Sequence, residues 1–274
     1  MKRPLLLTSF APFLCRLSAI GLLLGSASLS QAEAQSREID YTVDGQTFTG
    51  YFAYDDRIEG DRPGVLVVHE WWGHGDYVRK RADMLAELGY AAFALDMYGS
   101  GKYAEHPSKA NEFMQSVMSN KAEAEQRFLK ALSVLREQPM VEDDDIAAIG
   151  YCFGGAVVLH MARAGIDLDG VVSYHGMLST DAEAQPGDIE ADLLVFTGEA
   201  DPMVPAQQVE AFKQEMTAAN VDFKVHSYPG AKHAFTNPAA TEAGKQYDLP
   251  LAYDAKADAD SWHKTQRFFN RIFD

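Results

Sequence analysis

Three side chains stand in an order and spacing suited to nucleophilic chemistry: Cys152, Asp201 and His233. Cys152 sits in Gly150-Tyr151-Cys152-Phe153-Gly154-Gly155, after the short apolar run 146–149 and ahead of an apolar segment of helical character, 156–162. Apolar strand, glycine-flanked turn and helix match the G-x-S-x-G nucleophile elbow, with cysteine in place of serine. A nucleophile on so tight a turn leaves no room for side chains two residues to either side, which accounts for Gly150 and Gly154. The helix that begins there aims free N–H groups and its positive end at the sulfur. That arrangement favours negative charge on sulfur and offers a donor to an oxyanion. The same short stretch also fits an inert cysteine buried in a strand–helix corner, so the rest of the chain must decide.

Asp201 follows the apolar run 192–198, in Gly198-Glu199-Ala200-Asp201. His233 follows the run 223–228, in Lys232-His233-Ala234-Phe235. Nucleophile, acid and histidine therefore come in the hydrolase order, separated by 49 and 32 residues, each enough for a strand–helix–strand step. In that arrangement Asp201 orients and charge-balances His233, and His233 draws the proton from Cys152. The alternatives are a turn carboxylate for Asp201 and a surface loop histidine for His233.

Strands are expected at 39–54, as a pair around the turn 43–46, and at 64–69, 90–95, 146–150, 170–175, 192–198 and 223–228. Helices are expected at about 77–88, 109–119 (with Ser108 as N-cap), 121–137, 206–219 and 254–273, with a long loop before the last one. Run 64–69, Gly64-Val65-Leu66-Val67-Val68-His69, is continuously apolar until its end, as suits a strand buried on both faces. Short apolar strands alternating with helices predict an α/β fold, a mostly parallel doubly wound sheet with helices on both faces. Ligands in such sheets bind beyond the C-terminal strand ends, where all three chemical residues fall.

The ends and the composition bound the problem. Lys2, Arg3 and Arg16 precede an apolar run, 17–29, too short for a stable span, and Ala32-Glu33-Ala34 has the small-x-small form of a signal peptidase site. Residues 1–34 read as a cleaved secretory signal, an uncleaved N-terminal anchor being the other reading. The mature chain is then secreted, to a periplasm, with no membrane anchor, and 35–274 form one domain. Without Lys2, Arg3, Arg16 and Glu33 it carries 21 basic and 39 acidic residues, a net −18, which argues against nucleic acid and anionic membrane surfaces as partners. It also retains one cysteine, so Cys152 makes no intramolecular disulfide even in an oxidising compartment. His69 and His74 lack a helical H-x-x-x-H pairing, and no phosphate-cradling glycine motif is present, so neither a metal nor a nucleotide cofactor is expected.

The elbow, the His69-Glu70-Trp71-Trp72-Gly73 turn, Gly198-Glu199-Ala200-Asp201 and Lys232-His233-Ala234-Phe235 together resemble the dienelactone hydrolase family of α/β-hydrolases, over essentially the whole mature chain. The resemblance implies the α/β-hydrolase fold, a small-molecule ester or lactone substrate and cleavage through an acyl-enzyme on Cys152. It also implies that Glu70 contacts the resting thiol and accepts its proton when substrate enters, and that the backbone N–H groups of Trp71 and Phe153 form the oxyanion hole. One departure concerns specificity. Family members that cleave dienelactones hold the substrate carboxylate with arginines, one of them four residues beyond the histidine, where this chain has Asn237. An arginine fork is what planar carboxylate recognition calls for, so neutral substrates are expected instead.

Trp72, Tyr98, Tyr103, Met203 and Asn237 are candidates for the substrate pocket, with ordinary packing at the sheet ends as the alternative. A thiolate leaves a tetrahedral intermediate more readily than an alkoxide does, so activated esters such as enol lactones and aryl esters are favoured over amides. Two readings from other classes are a redox-reactive thiol protein and a non-catalytic binding protein of the same fold. The first lacks a resolving cysteine and the second gives no reason for an intact triad. Oligomeric state and natural substrate are not legible in the sequence.

Overall fold

In the computed structural model the described residues are 35–274, so the expected leader and its cleavage point lie outside them. One eight-stranded sheet organises these residues. Its strands are β1 (Gln35–Val43), β2 (Gln46–Tyr54), β3 (Arg62–Val68), β4 (Ala91–Leu95), β5 (Val141–Tyr151), β6 (Gly170–Tyr174), β7 (Asp192–Gly198) and β8 (Phe223–Tyr228). Their order in space is β1-β2-β4-β3-β5-β6-β7-β8. β1 and β2 form an antiparallel hairpin that pairs antiparallel with β4; from β4 to β8 every pairing is parallel. Asp44 and Gly45, with φ of 48° and 79°, make the two-residue turn whose twist suits a hairpin.

The helices are α1 (Asp76–Ala86), α2 (Pro107–Met118), α3 (Lys121–Arg136), α4 (Phe153–Arg163), α5 (Ala206–Ala218), α6 (Ala240–Tyr247) and α7 (Ala255–Ile272). Side chains alternate across the pleat. Val65, Val67, Ala147 and Ile149 pack with α1 and α7 on one face, while Leu66, Val68 and Ala148 pack with α3, α4 and α5 on the other. This two-sided burial explains why the central strands read as unbroken apolar runs.

Three elements differ from expectation. β5 starts at Val141 because that residue pairs with Arg62 across a register shift; the exposed Glu142-Asp143-Asp144 stretch between concealed the strand. α6 occupies part of the expected long loop. Its interior Gly244 reads as a breaker, but a Cβ there would lie 2.4 Å from the Leu251 carbonyl oxygen, so the glycine serves a close approach. The cap of α2 is His106, whose ring accepts from the Ser108 N–H at 3.2 Å, with Pro107 opening the helix.

Sheet order fixes where the chemistry falls. β3 continues through α1 to β4 on one side, while β5 lies on its other side and continues to β6. The adjacent C-terminal ends of β3 and β5 therefore form a switch point, with Glu70 just past one and Cys152 just past the other.

Candidate active site

Cys152 links β5 to α4 in a conformation that L residues seldom adopt, φ 54° and ψ −113°. The elbow closes on its own glycines. A Cβ on Gly150 would sit 2.1 Å from the Gly154 carbonyl oxygen, and one on Gly154 would sit 2.3 Å from that of Val68. Such approaches need bare Cα atoms, and they let the Gly154 N–H donate to the His69 carbonyl at 3.1 Å. That bond fastens the start of α4 to the end of β3.

Beneath the elbow lies a buried network that local sequence signals do not announce. The Cys152 N–H points at two acceptors, the Tyr174 carbonyl at 3.0 Å and His175 Nδ1 at 3.1 Å. Because Nδ1 accepts, Nε2 carries the His175 proton and donates to Thr236 Oγ1 at 2.8 Å. The Thr236 hydroxyl meets the Tyr77 hydroxyl at 2.6 Å, and Arg81 donates to Tyr77, to the Thr236 carbonyl and to Asp258. Burial, with His233 and Arg81 nearby, holds His175 well below the ordinary histidine range, so it remains a neutral strut. Its only visible sequence signal is a histidine at a strand end.

His69 has the same character. Its Nδ1 donates to the Glu70 carbonyl at 2.6 Å and its Nε2 accepts from the Met97 N–H at 3.2 Å, while burial lowers it to about 4. The turn that carries Glu70 and Trp71 is thereby held against β4.

Asp201 and His233 meet beyond β7 and β8. Asp201 Oδ2 accepts from His233 Nδ1 at 2.7 Å, and Oδ1 accepts from the Met203 N–H at 2.8 Å. Both residues are buried. Burial opposes a charged His233 ring, but Cys152 and the Asp201 carboxylate overcome it and raise the histidine to about 10. His233 Nε2, on the Cys152 side, is buried without a hydrogen-bond partner among the described residues. So is Glu70 Oε1, while Glu70 Oε2 accepts from Asn237 Nδ2 at 2.6 Å. Burial pushes the Glu70 carboxyl up to about 7, against the hydrogen bond from Asn237 and the charge on His233. Among the described residues, two unpartnered polar atoms of opposite character thus belong to residues that line one cavity with Cys152.

A cavity of about 570 Å3 opens at this point. Cys152, His233, Glu70, Trp71, Trp72 and Met203 line its inner end. The Trp71 and Phe153 N–H groups have no acceptor among the described residues, Phe153 because it opens α4. Of the pocket candidates, Trp72 and Met203 lie on the wall and three do not. Tyr98 is buried behind it, donating through its hydroxyl to the Trp71 carbonyl at 3.1 Å. Tyr103 is exposed, with its backbone bridged to Gly73. Asn237 spends its amide on Glu70 and its carbonyl oxygen on the Ala239 N–H, so it holds the carboxylate rather than facing a ligand.

The dienelactone hydrolase family pattern matches residues 48–273. A crystal structure of a dienelactone hydrolase-like promiscuous phosphotriesterase from metagenomic libraries is 34% identical, with a TM-score of 0.80, covering 88% of this chain and 99% of that one. Protein usf of Aquifex pyrophilus is 29% identical over 239 residues, 84% of this chain and 96% of its own length. A protein of Aquifex aeolicus (strain VF5) provisionally named carboxymethylenebutenolidase is 26% identical over 236 residues, with the same coverage.

Proposed function

The chain belongs to the dienelactone hydrolase family, with the α/β-hydrolase fold, and from that premise we propose that it hydrolyses carboxylic esters or lactones through a Cys152–His233–Asp201 triad and an acyl-enzyme. The observation that carries this reading is the division of labour on one ring. His233 Nδ1 is bonded to Asp201 at 2.7 Å, and Nε2, on the side of Cys152, is buried with no hydrogen-bond partner among the described residues.

Glu70, which burial raises to about 7, takes the thiol proton as substrate enters and keeps it during turnover. The Cys152 Sγ lone pair attacks the carbonyl carbon, and the oxygen that gains charge is met by the Trp71 and Phe153 N–H groups. As the tetrahedral intermediate collapses, the C–O bond breaks and His233 Nε2–H protonates the departing alcohol, leaving a thioester. His233, now neutral, takes a proton from water while that water attacks the thioester. Collapse releases the acid and the thiolate, with His233 protonated again.

Intact mass after mixing with a slow aryl ester tests the reading. An acyl adduct is expected on the wild type and none on Cys152→Ala, which is expected to lose ester cleavage while keeping its thermal midpoint. Full activity in Cys152→Ala would overturn the assignment.

Export is proposed from the leader alone. Material recovered from outside the cytoplasm is expected to begin at Gln35 or within a few residues of it, and a mass that retains Met1 refutes the leader.

A further inference from the structure

The cavity continues far beyond the reacting atoms. It follows one face of α4, along Ala156, Val157, His160 and Met161, which recur at helical spacing from Cys152. At a rise of about 1.5 Å per residue, the run from Cys152 to Met161 is about 13 Å long. The facing wall is Met114, Val117 and Met118 of α2 with Ala124 of α3, and Met177 stands beside it on the loop after β6. Met118 and Met177 are 40% and 49% exposed, two of only six large apolar side chains so exposed among the described residues. Exposed apolar side chains beside a lined cavity mark a ligand entrance. Methionine walls adapt to flexible apolar groups of varied shape.

Charge around the channel is already committed. Lys121 pairs with Asp181, His160 Nε2 with Glu125 at 3.0 Å, and Arg163 with both oxygens of Glu215 at 2.7 Å. None of these three side chains is left to hold an anionic group.

Stereochemistry assigns the occupant. In the tetrahedral intermediate the departing oxygen must face His233 Nε2, whose side of the cavity is walled by Trp72, Ala234, Leu251 and Met203. The remaining substituent, the acyl arm, points away from His233, along α4. Resting on the ester-hydrolase reading above, we propose that this methionine-lined channel is an acyl-chain site and that the enzyme acts on neutral esters of extended, flexible aliphatic acids.

Two ester series test it. In p-nitrophenyl alkanoates from acetate upward, kcat/KM is expected to rise two- to fourfold per methylene. It should level at roughly ten carbons, where a zigzag of ~1.5 Å bonds has run the channel. In 4-alkylphenyl acetates, which lengthen the leaving group at nearly constant reactivity, the whole series is expected to stay within about threefold. Ala156→Phe, which fills the channel, is expected to remove the acyl slope. Met118→Glu, at an exposed position that tolerates charge, is expected to lower the decanoate-to-acetate ratio about tenfold, and it gives the answer if Ala156→Phe fails to fold. A flat acyl series, a steeper alcohol series or an unchanged ratio in Met118→Glu overturns the proposal. If acetate cleavage is still lost in Cys152→Ala, only the acyl channel has failed; if it survives there, the triad reading has failed first.

Discussion

Glu70 shows what single residues contribute to this site, because its environment raises its proton affinity well above that of most glutamates. The carboxyl is buried, with one oxygen on Asn237 and the other without a partner among the described residues. Burial raises it from 4.5 to about 7. A group whose folded value lies above its unfolded value contributes stability that is full below the unfolded value and lost as pH rises through the folded one. For Glu70 the window is therefore about pH 4.5 to 7. Wild type is expected to lose about 3 kcal/mol relative to Glu70→Gln between pH 5 and 8. Urea unfolding of both proteins across that range measures it, and parallel stability curves would mean that the carboxyl is not perturbed. Asn237 is the residue that keeps this arrangement without a positive charge. An arginine in its place would stabilise the carboxylate and lower its proton affinity.

In the proposed triad the elbow is the element that carries the nucleophile, and its tolerance is set by backbone contacts that cannot yield. A Cβ on Gly154 would meet the Val68 carbonyl carbon and oxygen at 2.7 and 2.3 Å, so Gly154→Ala must push α4 away from β3 and carry Cys152 with it. The expected cost is about 2–4 kcal/mol in stability and at least ~100-fold in kcat/KM, since a displacement of about 1 Å is enough. Gly187→Ala is the control. Its φ of 95° strains an alanine, but nothing lies within 4 Å, so about 1 kcal/mol of stability and little activity should be lost. Thermal unfolding and turnover of both variants decide whether close approach governs the site. Elements of this kind were legible in the sequence because their signals are local: β-branched runs, glycines at fixed offsets, and Cys152, Asp201 and His233 at strand ends. What local signals do not carry is pairing across the sheet. Asn237 reaches Glu70 across 167 positions of chain, and His175 reaches Thr236 across 61. Which side chains meet at the strand ends depends on register and on the course of the loop through Ala234, itself at φ 58°. Asn237 therefore reads as a pocket residue by position and proves a carboxylate partner by geometry, while His175 shows no motif at all.

At the scale of the whole molecule, charge and cavity act in the same direction. The chain carries a net −16 and a pI near 4.8, so its field repels anions at a distance. Close to the site, Lys121, His160 and Arg163 are each paired with a carboxylate, and the position beyond His233 that could carry an arginine is Asn237. Neither long-range attraction nor a local fork therefore awaits an anionic ester. Matched pairs of aryl esters, differing only in whether the acyl group ends in a methyl or a carboxylate, are expected to show kcat/KM at least about tenfold higher for the neutral member, about 1.4 kcal/mol in transition-state binding. Salt separates the two contributions. The screening length falls from about 30 Å at 0.01 M to about 8 Å at 0.15 M, so the part of the penalty that arises from the surface field should shrink over that range while the neutral ester's rate stays constant. The part that survives at high salt is the cost of burying a carboxylate among methionines without a partner. An anionic ester cleaved faster than its neutral match at every ionic strength would show that an ion pair at the channel opens to receive it, and Lys121→Met would then abolish that preference.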